Sequence, residues 1–128
     1  MVFEESNKAI YIQIADRICN EILDDLYAPD TRLPSVREYA ADLQVNANTV
    51  MRSYDRLSQK GIIYNRRGIG FFVSTDAKVK VLAEKGEELM DSRIFELFDL
   101  LYHLDISPDD LRDKYSRYLE KKKKDSQS

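Results

Sequence analysis

The sequence predicts a mostly helical α+β protein, with one small ribbon between an N-terminal set of short helices and a C-terminal helical segment. Three observations predict it. Apolar residues recur at helical spacing through most of the chain. The β-branched and aromatic runs Ile62-Ile63-Tyr64 and Phe71-Phe72-Val73 flank a stretch with two glycines. Capping residues, prolines and a glycine mark the changes from one pattern to the next. At 128 residues and 43% hydrophobic content there is room for one modest core, or one small domain plus a helical appendage. Charged residues make up 34% beside that ordinary hydrophobic fraction, so the chain is expected to fold.

The first helix is expected from Asn7 to Tyr27. Ile10, Ile14, Ile18 and Ile22 stand four apart, Tyr11, Ala15 and Leu26 fill the stripe, and Ala28-Pro29-Asp30 stops it. Leu33-Pro34-Ser35 announces the second helix, because Ser35 can cap the free N–H groups and Glu38 completes a capping box. Val36, Tyr39, Ala40 and Leu43 should face inward. After Gln44-Val45, Asn46 is placed to cap a third helix that runs to Lys60 with Val50, Tyr54 and Leu57 inward, and Gly61 ends it. The two apolar runs then form a two-stranded ribbon around the loop Asn65 to Gly70.

Ser74-Thr75-Asp76 reads as a boundary, dividing the chain into residues 1–75 and 76–128. From Ala77 to about Leu104 apolar residues recur at Val79, Leu82, Leu89, Met90, Ile94, Phe95, Leu97, Phe98 and Leu101, with Gly86 as the weak point. Ser107-Pro108-Asp109-Asp110 supplies a cap, a proline for the first turn and two carboxylates at the positive end of the dipole. A last helix with Leu111, Tyr115 and Leu119 inward follows, and the tail Lys121 to Ser128 is expected to fray.

Function classes fall away in turn. A single cysteine, Cys19, excludes an internal disulfide, and Met1-Val2-Phe3-Glu4-Glu5 carries no charged-then-apolar leader, so a cytoplasmic chain is expected. No apolar run approaches the roughly 20 residues that span a bilayer, so no membrane role is expected. His103 is the one histidine, and neither a nucleophile–His–acid set nor metal-ligand spacing can be built on it. Gly68-x-Gly70 is too short for a dinucleotide loop, and Asp109-Asp110 is explained by helix capping. The expectation is a protein without enzymatic activity, cofactor or metal.

The net charge of −3, taken as a whole, speaks against nucleic acid, but the distribution of charge speaks for it. Residues 31–68 carry seven Lys/Arg against three Asp/Glu, whereas residues 1–30 carry two against seven. A basic block between acidic flanks suffices, because only the face near the phosphates releases counterions. Two short helices joined by a tight turn, preceded by a helix and followed by a ribbon, make a winged helix-turn-helix, whose second short helix can enter the major groove. The core stripe leaves Asn46, Ala47, Asn48, Met51 and Arg52 on or beside its outward N-terminal face. Asn can pair with adenine and Arg with guanine or phosphate. Read singly, Asn46 is equally a cap and Arg52 equally a solvated charge. Arg66 and Arg67, at a ribbon tip where Gly68 and Gly70 let the backbone come close, favour a phosphate strand or the minor groove over a plain turn.

Arg32-Leu33-Pro34-Ser35-Val36-Arg37-Glu38-Tyr39-Ala40, Val45 through Tyr54, Gly61-Ile62-Ile63 and Arg67 through Val73 together resemble the N-terminal domain of GntR-family regulators, over roughly residues 8–74. The resemblance implies that Arg37 contacts phosphate, with a base also open to it, and that Asn46, Asn48, Thr49 and Arg52 serve the recognition helix. It also implies that Gly68 to Gly70 form the wing tip. Members with arginines at the Ala47 and Met51 positions read guanines there, so this chain's operator cannot be borrowed from them. Asp30 stands where the family usually has Gly. A tail of about fifty residues in two helices resembles the YtrA-like subfamily and is too short for the larger effector domains of other subfamilies.

The C-terminal stripe with Phe95 and Phe98 exposes too much apolar surface for one copy, and symmetric pairing would cover it. The expected protein is therefore a homodimeric repressor binding a pseudo-palindromic duplex operator. Two alternatives stay open. One is a ligand-responsive switch with a small-molecule effector at the dimer seam, lined by Tyr102, His103, Tyr115 and Tyr118, although packing is the simpler role for those residues. The other is a winged-helix protein-interaction module.

Overall fold

The structure, a computed structural model, describes residues 8–127. The Met1 to Glu5 opening, Asn7 at the expected start of the first helix, and Ser128 lie outside the described residues. The elements are α1 (Ile10–Leu23), α2 (Val36–Leu43), α3 (Ala47–Gln59), β1 (Ile63–Arg66), β2 (Gly70–Val73), α4 (Ala77–Glu88), a π-helical turn (Leu89–Arg93), α5 (Ile94–His103) and α6 (Pro108–Gln127). The chain forms two compact units, one up to Lys85 and one from Gly86.

In the first unit the predicted stripes meet in one core. Ile14, Ala15, Ile18, Cys19 and Ile22 of α1 are buried with Tyr39, Ala40 and Leu43 of α2, Val50, Tyr54 and Leu57 of α3, and Leu33, Ile62, Ile63 and Val73 of the loop and ribbon. Ala77 and Val81, one turn apart on α4, complete it, while Val79 and Leu82 of the predicted stripe are exposed. Ile10 and Leu26, expected in the α1 stripe, are also exposed.

α1 ends four residues before the expected stop and without help from Pro29. Asp25 takes a left-handed φ of 62°, its N–H bonds to the Ile22 carbonyl at 3.1 Å, and the Leu26 N–H bonds to the Glu21 carbonyl at 2.9 Å. This Schellman arrangement satisfies carbonyls that a helix end leaves free. The same pair of bonds closes α2 around Gln44, α3 around Gly61 and α5 around Asp105, all at positive φ. Only one of the four ends uses the glycine that sequence reasoning looks for.

β1 and β2 pair antiparallel, with Ile63 opposite Val73, Tyr64 opposite Phe72 and Arg66 opposite Gly70. The loop shrinks to Arg67-Gly68-Ile69, closed by the Ile69 N–H on the Arg66 carbonyl at 2.9 Å. Gly68, at φ 80°, occupies the position that a type II turn reserves for a residue of positive φ. The ribbon has a third, unpredicted edge. Arg32 bridges Phe72, and the bonds Asp30 N–H to Val73 O, Val73 N–H to Thr31 O and Leu33 N–H to Phe71 O, at 2.7 to 3.0 Å, lay residues 30–33 along β2. Asp30 reaches this edge at φ 60°, a left-handed conformation that Asp visits more readily than most residues with a side chain.

Gly86, the expected weak point of the long C-terminal pattern, is where the second unit begins, but α4 runs through it without a break, and the helical irregularity is the π turn at Leu89–Arg93. α6 begins as expected, with the Asp110 N–H on the Ser107 Oγ at 3.1 Å. It does not fray at Lys121 but continues to Gln127. Tyr115 and Leu119, expected inward, are exposed.

Candidate nucleic-acid interface

The second short helix, α3, is fixed from its buried side. Ser53, fully buried, donates to the Tyr11 carbonyl of α1 at 2.7 Å and lies 3.1 Å from the Thr49 carbonyl. Tyr54, also fully buried, donates to the Pro34 carbonyl at 2.7 Å. Its ring meets Phe71 of β2 edge-on at 5.1 Å and Tyr39 of α2 at 6.2 Å. Burial pushes the Tyr54 hydroxyl well above the usual phenol range, so it stays a donor. One tyrosine thus ties α3 to the turn before α2 and to the ribbon, which suits a helix that must hold its angle in a groove.

The outward side of α3 carries the predicted residues. Asn46 caps the helix, its Oδ1 accepting from the Asn48 N–H at 2.8 Å, so the capping role is real; the amide group of the same exposed side chain remains available. Asn48 and Arg52, one turn apart, are exposed, with Met51 beside them, and Thr49 is half-buried. The Arg52 guanidinium lies 4.1 Å from the Tyr11 ring centre. This cation–π contact gives a side chain with roughly 2 kcal/mol of rotamer entropy a preferred place. Arg37 is exposed on the first turn of α2, behind the Ser35 cap that accepts from the Glu38 N–H at 3.1 Å.

On the wing, Arg66 and Arg67 fall on different elements. Arg67 stands with Gly68 in the three-residue loop, whereas Arg66 lies on β1, opposite Gly70, with its guanidinium 4.9 Å from the Phe72 ring centre. Sequence reasoning missed three supporting residues. Ser53 follows Val50 by three and precedes Leu57 by four, so its place on the buried stripe was readable from spacing. Tyr11 as the seat of Arg52, and Arg32 as part of the wing, follow only from tertiary contacts.

Cys19 is buried and its thiol is pushed up to about 11 by that burial, in keeping with a packed and unreactive side chain. Among the described residues no group of His, Cys, Asp and Glu could hold a metal ion, and no helix is long and apolar enough to cross a membrane.

A winged helix-turn-helix with this spacing matches the family described as bacterial regulatory proteins, gntR family, over residues 10–73. The chain belongs to the GntR family. It is 41% identical over 75 residues to the transcriptional regulator YhcF of Bacillus subtilis, covering 59% of this chain and 62% of that one. It is 38% identical over 80 residues to the transcriptional repressor YtrA of the same organism, covering 62% of each. The matched stretch thus spans about three fifths of the length of these relatives. A GntR-family regulator from Bacteroides thetaiotaomicron superposes with a TM-score of 0.71 at 45% identity, covering 89% of this chain and 99% of the other. The N-terminal domain of AraR, solved with a mutant of its operator ORR3, superposes with a TM-score of 0.52 at 25% identity over 56% of this chain and 100% of the other.

Proposed function

We propose that this GntR-family chain is a sequence-specific, duplex-DNA-binding repressor of transcription, without enzymatic activity, acting in the cytoplasm as a homodimer on a pseudo-palindromic operator. One observation carries the reading: Asn48 and Arg52 project from the N-terminal half of a helix locked behind them by Ser53 and Tyr54, beside a wing bearing Arg66 and Arg67. Asn46, Asn48, Thr49 and Arg52 serve the major groove. Arg37 and Arg66 hold phosphates, and Arg67 with Gly68 and Gly70 brings the wing to the backbone or minor groove. The relative YtrA, named a repressor, supports the sign of regulation, and the AraR complex supports duplex DNA as the partner. DNA contact belongs to residues 1–75 and pairing to 76–128, with the start of α4 serving the core of the first part as well. The apolar side chains Phe95, Leu97 and Phe98 of α5 and Leu119 of α6, all exposed, support pairing.

Binding to a randomised duplex library, measured at several salt concentrations, tests the reading. Affinity should fall steeply with salt, Arg67→Ala should flatten that dependence by about one unit and weaken all duplexes alike, and Asn48→Ala should relax preference at particular base pairs. Salt-independent binding, or uniform scaling by both variants, would overturn base reading by α3.

A second reading adds an effector. The surface carrying Ser92 of the π turn and Phe95, Glu96, Phe98, Asp99 and Tyr102 of α5 is open in one chain. A small molecule would be enclosed there only once a second copy closed it.

A further inference from the structure

The outer face of the wing holds more positive charge than the sequence suggested. Residues opposite one another across a sheet share a face, so the register puts Arg32, Phe72 and Tyr64 in one row and Gly70 and Arg66 in the next. The inner face of the same strands carries the buried Leu33, Val73 and Ile63. On the outer face Tyr64 stacks on Phe72 at 5.7 Å, 20° from parallel, and its hydroxyl donates to Asp30 Oδ1 at 2.9 Å.

The two arginines cross over β2 in opposite senses. Arg66 starts in the Gly70 row and leans over the Phe72 ring, 4.9 Å from its centre. Arg32 starts in the Phe72 row and leans over Gly70, so that a Cβ there would stand 2.9 Å from its Nε. Glycine at 70 therefore leaves the space the Arg32 guanidinium fills, and Gly70 also needs its φ of 140°. The two guanidiniums lie over Phe72 and Gly70, neighbouring same-face positions of one strand, and such positions are spaced about 7 Å along a strand. Both are exposed, and no ion pair joins either to a carboxylate among the described residues. Two like charges held this close, each seated on a ring or on bare backbone and facing solvent, make a fixed anion seat whose donors suit phosphate oxygens.

We infer that Arg32 and Arg66 together form a phosphodiester clamp on the outer face of the wing, with Arg32 as a DNA contact in its own right and Gly70 as the bare backbone on which it lies. The inference rests on the duplex-binding reading above and adds to it a residue outside both the recognition helix and the wing tip.

The test uses the full-length protein and duplex DNA, random and operator-enriched, over a salt series. Arg32→Gln removes the charge and keeps the length. It should weaken binding to all duplexes alike and lower the slope of log K against log salt by about one unit. The melting temperature should stay within about a degree, because the side chain is exposed. Arg66→Gln should do the same, and the double variant should lose less than the product of the two single losses, because both hold one stretch of backbone. Arg32→Lys should restore the salt slope but only part of the affinity, lacking the planar fork. If wild type binds no duplex in a salt-dependent way, the duplex-binding reading falls. If wild type binds with its normal slope and Arg32→Gln leaves slope and affinity unchanged, or weakens only particular sequences, the clamp is overturned while that reading stands. A large drop in melting temperature with an unchanged slope overturns it equally, showing Arg32 to be a structural part of the ribbon only.

Discussion

The two units of this chain are built from similar helices and end differently. Up to Val81, apolar stripes from three helices, a ribbon and the start of α4 close on one another and leave Ile14, Val50 and Tyr54 with no exposed surface. After Val81 no described residue is buried, although α5 is among the most apolar helices of the chain and Phe95 keeps 64% of its surface exposed. What differs is geometry more than composition. A core needs elements that approach from several directions, and the first unit has them, whereas the helices of the second keep most of their apolar side chains exposed. A fold that completes itself can hold a recognition helix rigidly. A face left open depends on a partner, and in the proposed function that partner is a second copy.

Substituting one aromatic in each unit is the strongest way to break that contrast. Tyr54→Ala should cost about 3–5 kcal/mol in a denaturant titration, since it removes a fully buried ring and its bond to the Pro34 carbonyl. Phe98→Ala should leave the first unit's unfolding unchanged and lower dimer affinity instead. Sedimentation over a dilution series would show this, and a full-length protein that is monomeric at micromolar concentration would end the pairing proposal. Tyr54→Phe sharpens the same point at smaller scale, with an expected loss of about 1 kcal/mol for one hydrogen bond.

Truncation comes next. A chain ending at Lys85 keeps Ala77 and Val81 in the core and should fold as a monomer with weakened operator binding, because two half-sites are no longer linked. Ending at Thr75 should in addition lower stability by roughly 2–3 kcal/mol, about what one fully buried valine with its neighbour contributes. Equal melting temperatures for the two truncations would show that α4 is no part of the first core.

The last comparison is alkaline. Burial pushes the Cys19 thiol up to about 11, and burial with the Glu21 carboxylate pushes the Tyr27 hydroxyl up to about 12. Groups raised in the folded state favour it fully below their unfolded values, near 9 and 10 here, and that contribution is lost as pH climbs through the folded values. The melting temperature of the first unit should therefore decline from about pH 9 to 12. In Cys19→Ala the decline should begin about one pH unit later, and identical profiles for the two proteins would show that the thiol contributes nothing.

Most of the first unit was legible beforehand because its signals are local. Ser35 and Asn46 cap the helices they were expected to cap, the stripes of α1, α2 and α3 pack except for Ile10 and Leu26 at the ends of the first, and Gly61 ends α3. The end of α1 was missed because Asp25 takes the left-handed turn without glycine, whereas α2 and α5 end where expected, at Leu43 and beside Leu104, although Gln44 and Asp105 close them in the same way. An available signal was the apolar residue that follows each of them, Leu26, Val45 and Ile106, as Ile62 follows Gly61. For the candidate site, the residues on α3 and at the wing tip could be singled out by pattern, but not what holds them or how they group.

The sequence by itself determined the order of helices and strands, the caps, the inward stripes and the face that carries Asn48 and Arg52, since each depends on residues within a turn or two of one another. Tertiary structure alone decided that residues 30–33 become a third edge of the ribbon and that Ser53 and Tyr54 lock α3. It also decided that Tyr11 seats Arg52, and that Arg32 and Arg66 meet over β2 from either side. These pairings join residues 20 to 43 positions apart, a separation at which no local spacing specifies a contact. The choice is made by the shared core, which buries the opposite faces of the same elements and thereby fixes where their outward side chains come together.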